Sequence, residues 1–187
     1  MADYSTSKPR MLLHSCCATC TAYPASMLKD SFDISLFYYN PNIFPEEEYY
    51  KRLADIRMLA DTTGITLIIG EYDNSGWDKA TKHLADEPEG GSRCALCFSF
   101  RLKKTAETAK EKGFDIFGTT LSISPHKDSK VIIRAGESLA ERIGIDFYRT
   151  DLKKKDGFKK AMDLSRKYSF YRQSYCGCKY SIRSNTD

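Results

Sequence analysis

The sequence lacks any run of about 18 apolar residues, the length that a membrane-spanning helix needs. Its first ten residues are polar and contain no apolar segment of the kind that precedes a secretory cleavage site. Internal repeats, low-complexity segments and flexible linkers are missing as well. These absences predict a cytoplasmic protein that does not contact a membrane. They also predict one domain, residues 10–182, between a disordered leader, 1–9, and a flexible tail, 183–187.

The composition is that of a globular protein with an unusual number of thiols. The chain has 187 residues, enough for one buried core, and 41% of them are hydrophobic while 29% are charged. The net charge of +4 permits a polyanionic partner without requiring one. Disulfide scaffolds do not persist in the cytosol, and seven cysteines cannot all pair. The cysteine count therefore favours metal binding or redox chemistry.

Strand-like and helix-like segments alternate along the whole chain. Apolar or alternating runs predict strands at 11–13, 32–39, 65–69, 114–120 and 145–150. Amphipathic stretches predict helices at 21–29, 46–63, 77–84, 97–112, 130–143 and 158–168. This alternation is typical of an α/β fold with a parallel sheet and helices on both faces. The loops after the strands then share one rim, where such folds build their sites.

The cysteines fall into three tight groups, and no cysteine lies outside them. The groups are Cys16, Cys17 and Cys20; Cys94 and Cys97; and Cys176 and Cys178. The first group lies at a strand-to-helix corner, where backbone N–H groups favour anionic thiolates. Nucleotide-binding folds use glycines at this corner to cradle a phosphate, and these glycines are missing here. The corner therefore predicts a metal where a phosphate would otherwise bind.

Three kinds of cysteine site fit this spacing. Cys17 with Cys20 and Cys94 with Cys97 are two CxxC pairs, as in structural zinc sites. Four thiolates would equally hold an iron–sulfur cluster and leave three for a second metal or a redox pair. A CxxC pair after a strand is also typical of thiol–disulfide oxidoreductases, and a Cys-Gly-Cys segment suits a disulfide relay. The spacing alone leaves these alternatives open.

Two loops contain further candidate residues. His126, Lys127 and Asp128 follow the fourth predicted strand and could deliver protons, although Asp128 could equally cap the next helix. His14 ends an apolar strand, so we expect a core residue rather than a ligand. A basic loop and the aromatic tail suit stacking and phosphate contacts with splayed-out nucleotides. The candidate nucleic-acid contacts are Lys153, Lys154, Lys155, Tyr171 and Arg172.

The sequence resembles the QueH-type epoxyqueuosine reductases in stretches that run in order along nearly the whole chain. They are LLHSCCATC at 12–20, FYYNPNIFPEEEYYKR at 37–52, DEPEGGSRCALCF at 86–98, TTLSISPHKDS at 119–129, KKKDGFKKAMDLS at 153–165 and YRQSYCGC at 171–178. The combination is far more specific than any single CxxC pair. One departure is Thr19, where the family more often has proline.

The resemblance implies an enzyme that removes the epoxide oxygen of epoxyqueuosine at the wobble position of tRNAs with GUN anticodons, which yields queuosine. It implies a Rossmann-like fold related to the adenine nucleotide hydrolases. It also implies a 4Fe–4S cluster with an additional mononuclear iron, no cobalamin, and an electron donor that it does not identify. A zinc-binding nucleic-acid module and a thiol–disulfide oxidoreductase are the alternative functions.

On this interpretation the cysteines divide between two iron sites. The four assigned to the cluster are Cys16, Cys17, Cys94 and Cys97. The three assigned to the additional iron or a redox relay are Cys20, Cys176 and Cys178. The proton for the departing oxygen would come from Asp128, His126 or Lys127, and Asp128 could also ligate iron.

Overall fold

The structure, a computed structural model, describes residues 7–182. Residues 1–6 of the expected leader and the whole expected tail, 183–187, lie outside the described residues. The strands within the described part are β1 (Arg10–His14), β2 (Asp33–Tyr38), β3 (Thr66–Ile69), β4 (Ile116–Thr119) and β5 (Asp146–Phe147). They form one parallel sheet in the order β3-β2-β1-β4-β5. The parallel α/β fold predicted from the sequence is confirmed.

Helices connect the strands of this sheet. Within residues 7–182 they are α1 (Ala18–Leu28), α2 (Glu46–Thr63), α3 (Asn74–Thr81), α4 (Ser92–Glu111), α5 (Ser129–Ile143) and α6 (Gly157–Lys167). None of these described helices is long and apolar enough to cross a membrane. Their order reproduces the alternation read from the sequence.

Helices α1 and α4 begin earlier than the sequence pattern predicts, and both of these shifts involve cysteines. Helix α1 begins at Ala18 instead of residue 21, so Cys20 lies within its first turn. Helix α4 begins at Ser92 instead of residue 97, because the Glu87 carboxylate accepts a hydrogen bond of 3.0 Å from the Ser92 N–H. Cys94, expected in the loop before the helix, therefore lies on α4 together with Cys97.

Strand β1 lies at the centre of the sheet and contributes to the core on both faces. Leu12 packs in one hydrophobic cluster with Phe37 and Phe117, whereas Met11 and Leu13 pack in a second cluster. Successive side chains of a strand point to opposite faces, so a single strand serves both clusters. The carboxyl end of β1, from which the cysteine corner starts, is thus held by packing from both sides.

Candidate metal centre

The corner between β1 and α1 gathers three thiols. Cys16, Cys17 and Cys20 are buried, and their sulfur atoms all lie within 4.8 Å of one another. The Sγ atoms of Cys16 and Cys17 are 3.9 Å apart. Cys17 has an extended backbone and precedes the first residue of α1, which turns its side chain back toward Cys20. Three sulfur atoms this close could hold a metal ion.

Hydrogen bonding within this group shifts the pKa values of the three thiols in different directions. Hydrogen bonds from Cys17 and Cys20 hold the pKa of the Cys16 thiol well below its usual range, and the positive charge of Lys127 adds to this effect. The hydrogen bond to Cys16 raises the pKa of Cys17 to about 12, and the same interaction raises the pKa of Cys20. Cys16 is therefore the member of the group whose ionisation these contacts favour most.

The other four cysteines form a second group at the same rim. Cys94 and Cys97 lie in the first turns of α4, where their charges interact with those of Cys176 and Cys178. Cys97 and Cys178 pack together against the buried side chain of Trp77. Burial raises the pKa of Cys97 to about 11. The segments that carry Cys97 and Cys178 are distant in sequence and thus meet in the folded chain.

Two cations connect the two groups of cysteines. The Lys127 ammonium interacts with Cys176, Cys16 and Cys20, and the Arg101 guanidinium interacts with Cys97, Cys176 and Cys16. Burial disfavours the charged form of each, but the combined negative charge of the thiolates raises both pKa values above their usual range. The site is therefore suited to carry anionic sulfur ligands.

A buried ion pair on α2 holds the C-terminal cysteine segment in place. Arg52 Nε lies 2.8 Å from Glu48 Oε1, and both side chains are buried. The same guanidinium donates to the carbonyl oxygens of Cys176, at 3.1 Å, and Tyr175, at 3.3 Å. The second Glu48 oxygen accepts a hydrogen bond of 3.0 Å from the Tyr171 hydroxyl. Residues 171–176 are thereby attached to α2 at several points.

Gly177 makes this attachment sterically possible. Its φ of +123° lies in the region that favours glycine, and a Cβ there would come within 3.1 Å of Arg52 Nη1 and 3.2 Å of Ile43 Cγ1. The Gly177 carbonyl also accepts a hydrogen bond of 2.8 Å from the Phe44 N–H. The glycine between Cys176 and Cys178 thus permits both the chain reversal and the close approach of Arg52.

A cavity of about 280 Å³ opens beside the thiols. Its walls include Cys20, Lys127, Cys176 and the exposed side chain of Arg172. Cys16 and Cys17 do not line this cavity. A small molecule in the cavity would therefore approach Cys20 and Cys176 rather than the deeper sulfur atoms.

The loop after β4 places its three candidate residues differently. Lys127 is directed toward the thiols, and His126 is exposed in the cavity wall. The Asp128 carboxylate caps α5 by accepting a hydrogen bond of 2.7 Å from the Lys130 N–H. His14 is fully buried and its ring nitrogens lie 3.1 Å from Thr119 Oγ1 and the Tyr39 carbonyl, as expected of a core residue.

Of the five candidate tRNA contacts only Arg172 lines the cavity, and not all of the others are free. Lys153 Nζ donates a hydrogen bond of 2.8 Å to the Lys127 carbonyl, whereas Lys154 and Lys155 are exposed. The Tyr171 hydroxyl already donates a hydrogen bond to the Glu48 carboxylate. Arg172 is exposed and lines the cavity.

The sequence analysis did not identify the residues that support the cysteines. Arg52 and Glu48 are oppositely charged residues four positions apart on the buried face of α2. This spacing indicates an ion pair and can be read from the sequence. Arg101 follows Cys97 by four residues on the buried face of α4. Trp77 showed no local signal, because only the folded chain places it against Cys97.

The fold and the site define a class of protein: a Rossmann-like α/β protein with a buried cysteine group at the carboxyl rim that could hold a metal. A family model described as "Epoxyqueuosine reductase QueH" matches residues 11–184. The chain belongs to the epoxyqueuosine reductase QueH family, and it is accordingly an oxidoreductase. The resemblance noted in the sequence is thereby confirmed.

Relatives with this description occur in distant bacteria. The chain is 36% identical to epoxyqueuosine reductase QueH of Streptococcus pyogenes serotype M1, over 94% of this chain and 71% of the relative. It is 34% identical to QueH of Thermotoga maritima, over 92% of this chain and 90% of the relative. QueH of Dehalococcoides mccartyi is 36% identical, with 92% of each chain covered.

Two solved structures share the fold at low sequence identity. One is a predicted subunit of a tRNA methyltransferase from Methanocaldococcus jannaschii, with a TM-score of 0.58 and 17% identity over 84% of this chain and 76% of that one. The other is the U34-tRNA thiolase NcsA from Methanococcus maripaludis with its [4Fe-4S] cluster, with a TM-score of 0.58 and 12% identity. That match covers 98% of this chain and 64% of the thiolase.

The structure predicts that Gly177→Ala disturbs the C-terminal cysteines. The strained backbone and the contact with Arg52 should together cost roughly 1–3 kcal/mol of unfolding free energy, and should expose Cys176 and Cys178 to thiol reagents. Urea unfolding and thiol titration of the metal-free protein measure both effects.

Gly64→Ala is the matched control for this substitution. Gly64 also has a positive φ, +69°, but a Cβ there meets nothing within 4 Å. We expect a smaller loss of stability and unchanged thiol reactivity. If the two substitutions have equal effects, the close approach of Arg52 to residue 177 does not require a glycine there.

Proposed function

We propose that this protein reduces epoxyqueuosine at the wobble position of tRNA to queuosine, using a 4Fe–4S cluster and an additional mononuclear iron held by its cysteines. The observation that carries the proposal is the buried group Cys16, Cys17 and Cys20, beside a cavity, in a chain of the epoxyqueuosine reductase family. We further propose that it acts in the cytoplasm, where thiols stay reduced and all seven cysteines are free, as they are here.

The donor set fits an anionic iron–sulfur centre. Seven thiols from three segments lie at one rim, and Lys127 and Arg101 supply the positive charge that buried thiolates need. The likeness in fold to a thiolase whose title states a [4Fe-4S] cluster also supports this proposal. Once bound, the cluster and the iron would supply electrons and polarise the epoxide oxygen.

We propose a division of the cysteines between the two iron sites that their spacing along the chain does not itself determine. Cys16, Cys17, Cys94 and Cys97 would hold the cluster, and Cys20, Cys176 and Cys178 the additional iron. Two contacts support this division: Cys20 and Cys176 both line the cavity, where an open metal position would meet the substrate. Cys16 and Cys17 lie deeper, where electron transfer requires no contact with the substrate.

The side chains of the cavity would bind the nucleoside and deliver protons. The departing epoxide oxygen must take up protons to leave as water. Of the three candidate donors in the loop after β4, His126 and Lys127 line the cavity and Asp128 does not. Asp128 would contribute mainly by capping α5, which fixes the position of this loop. Enclosure by the C-terminal segment would keep water away from the reacting atoms.

The substrate would enter from the tRNA anticodon loop. A wobble nucleoside can swing out of its stack into a protein cavity, and neighbouring phosphates would then meet exposed cations at the rim. Lys154, Lys155 and Arg172 are exposed and provide such charges. Lys153 and Tyr171 would complete the surface. We also propose that the enzyme recognises tRNAs with GUN anticodons. Its electrons would come from an unidentified electron donor.

The decisive experiment is anaerobic reconstitution followed by an assay. The protein is loaded with iron and sulfide, reduced, and incubated with tRNA that contains epoxyqueuosine, and the nucleosides are then analysed by mass spectrometry. We expect a brown protein that produces queuosine, and a Cys16→Ser variant that produces none. A full cluster without queuosine would contradict the proposal. A colourless protein with zinc would support a nucleic-acid module, and a metal-free reducible disulfide would support an oxidoreductase of thiols.

The division of the cysteines predicts different iron contents for two neighbouring variants. Cys20→Ala should lower the iron content from about five to about four atoms per chain, because the 4Fe–4S cluster keeps its ligands. Cys17→Ala, the matched variant in the same group, should lose most of its iron. Iron analysis and electron paramagnetic resonance measure this difference. If both variants lose the same amount of iron, the proposed division is wrong.

The basic loop predicts a salt-dependent contribution to tRNA binding. Replacing Lys153, Lys154 and Lys155 by alanine should weaken binding and lower the magnitude of the salt slope by about 1 to 2, since each lost phosphate contact removes about 0.7 to 0.9. The control replaces Lys103, Lys104 and Lys112, exposed residues of or beside α4. Equal slopes for the two triple variants would place the tRNA elsewhere.

A further inference from the structure

Arg101 is a buried cation without a carboxylate partner. Its side chain lies on α4 with only 2% of its surface exposed. Its Nε donates a hydrogen bond of 3.3 Å to the Cys97 carbonyl, and Nη1 lies 3.5 Å from Asn40 Oδ1. Its Nη2 is buried and has no partner, and within residues 7–182 it forms no ion pair with an acidic side chain. A lone cation in the protein interior is costly unless an anion accompanies it.

Two other buried arginines show how such a charge is usually accommodated. Arg52 forms an ion pair of 2.8 Å with Glu48. Arg93, which is also on α4, donates from Nη1 to the carbonyl oxygens of Leu84, Ala85 and Glu87. Arg101 has neither a carboxylate nor such a set of carbonyls. Its counter-charge must therefore come from another source.

Hydrogen bonds connect Arg101 to two of the three cysteine segments, directly to Cys97 and through Asn40 to Ser15. Its charge interacts with Cys97 on α4, Cys176 on the C-terminal segment and Cys16 at the corner after β1. Asn40, which accepts from Arg101, donates a hydrogen bond of 2.9 Å to the Ser15 carbonyl, directly before Cys16. Arg101 thus lies between the two cysteine groups and is connected to both.

We propose that Arg101 is a positioning residue whose charge and free Nη2 hydrogen-bond donor compensate the anionic sulfur of the metal centre and raise its reduction potential. This inference rests on the proposed iron–sulfur function. The reduced centre carries one more negative charge than the oxidised centre, so a nearby cation stabilises the reduced state. The electrostatic effect of the Arg101 charge is large because a buried site has a low dielectric constant.

The test compares two substitutions that separate charge from packing. Arg101→Gln keeps hydrogen-bonding groups but removes the charge, and Arg101→Lys keeps the charge. Both are reconstituted anaerobically beside the wild type, and iron content and the midpoint potential are measured by redox titration with electron paramagnetic resonance. Lys104→Gln is the control, because it removes a positive charge from the exposed face of the same helix.

We expect Arg101→Gln to shift the midpoint potential in the negative direction, with at least a tenfold lower reduced-to-oxidised ratio at a fixed potential, which is about 59 mV for one electron. Arg101→Lys should recover most of the shift, and Lys104→Gln should show none. A loss of iron in Arg101→Gln with retention in Arg101→Lys supports the same role.

Two results would overturn this inference but leave the proposed function standing. One is an iron-loaded Arg101→Gln protein whose potential equals that of the wild type. The other is an equal shift, or an equal loss of iron, in Arg101→Gln and Arg101→Lys, because the charge would then not be the cause. A wild-type protein that assembles no iron would overturn the proposed function and this inference together.

Discussion

The burial of anionic sulfur beside positive charge is the constraint on which the rest of the site depends. Thiolates leave water only when cations accompany them, because an isolated charge in the interior costs more than folding provides. Lys127 comes from the loop after β4 and Arg101 from the middle of α4. Each interacts with cysteines of other segments, so the charges balance only in the folded chain.

The parallel topology brings these segments to one rim. Strand β1 lies between β2 and β4, so the cysteine corner that follows it adjoins the loops that carry Asn40 and Lys127. The C-terminal segment has no strand to place it at this rim. Instead, the buried pair of Arg52 and Glu48 attaches it to α2. The sheet therefore positions one part of the site, and contacts centred on the Arg52–Glu48 pair help to position the other.

Local patterns predicted the elements well where their ends carry their own signals. Helix α2 was predicted over its full length, because its apolar periodicity ends at Gly64, which has the positive φ of a helix terminator. Helix α4 was predicted to begin too late, since its cap comes from Glu87, five residues earlier. Strand β5 contains only two of the six residues predicted, because it pairs with β4 alone at the edge of the sheet.

The sequence by itself determined the order of strands and helices, the family and the chemistry of the rim, because residue type and periodicity are local properties. Only the tertiary structure decided which sulfur atoms lie together and which cations face them. Cys16, Cys17 and Cys20 form one compact group, and the remaining four cysteines form another. Such neighbours depend on how distant segments pack, and the spacing of residues along a chain does not contain that information.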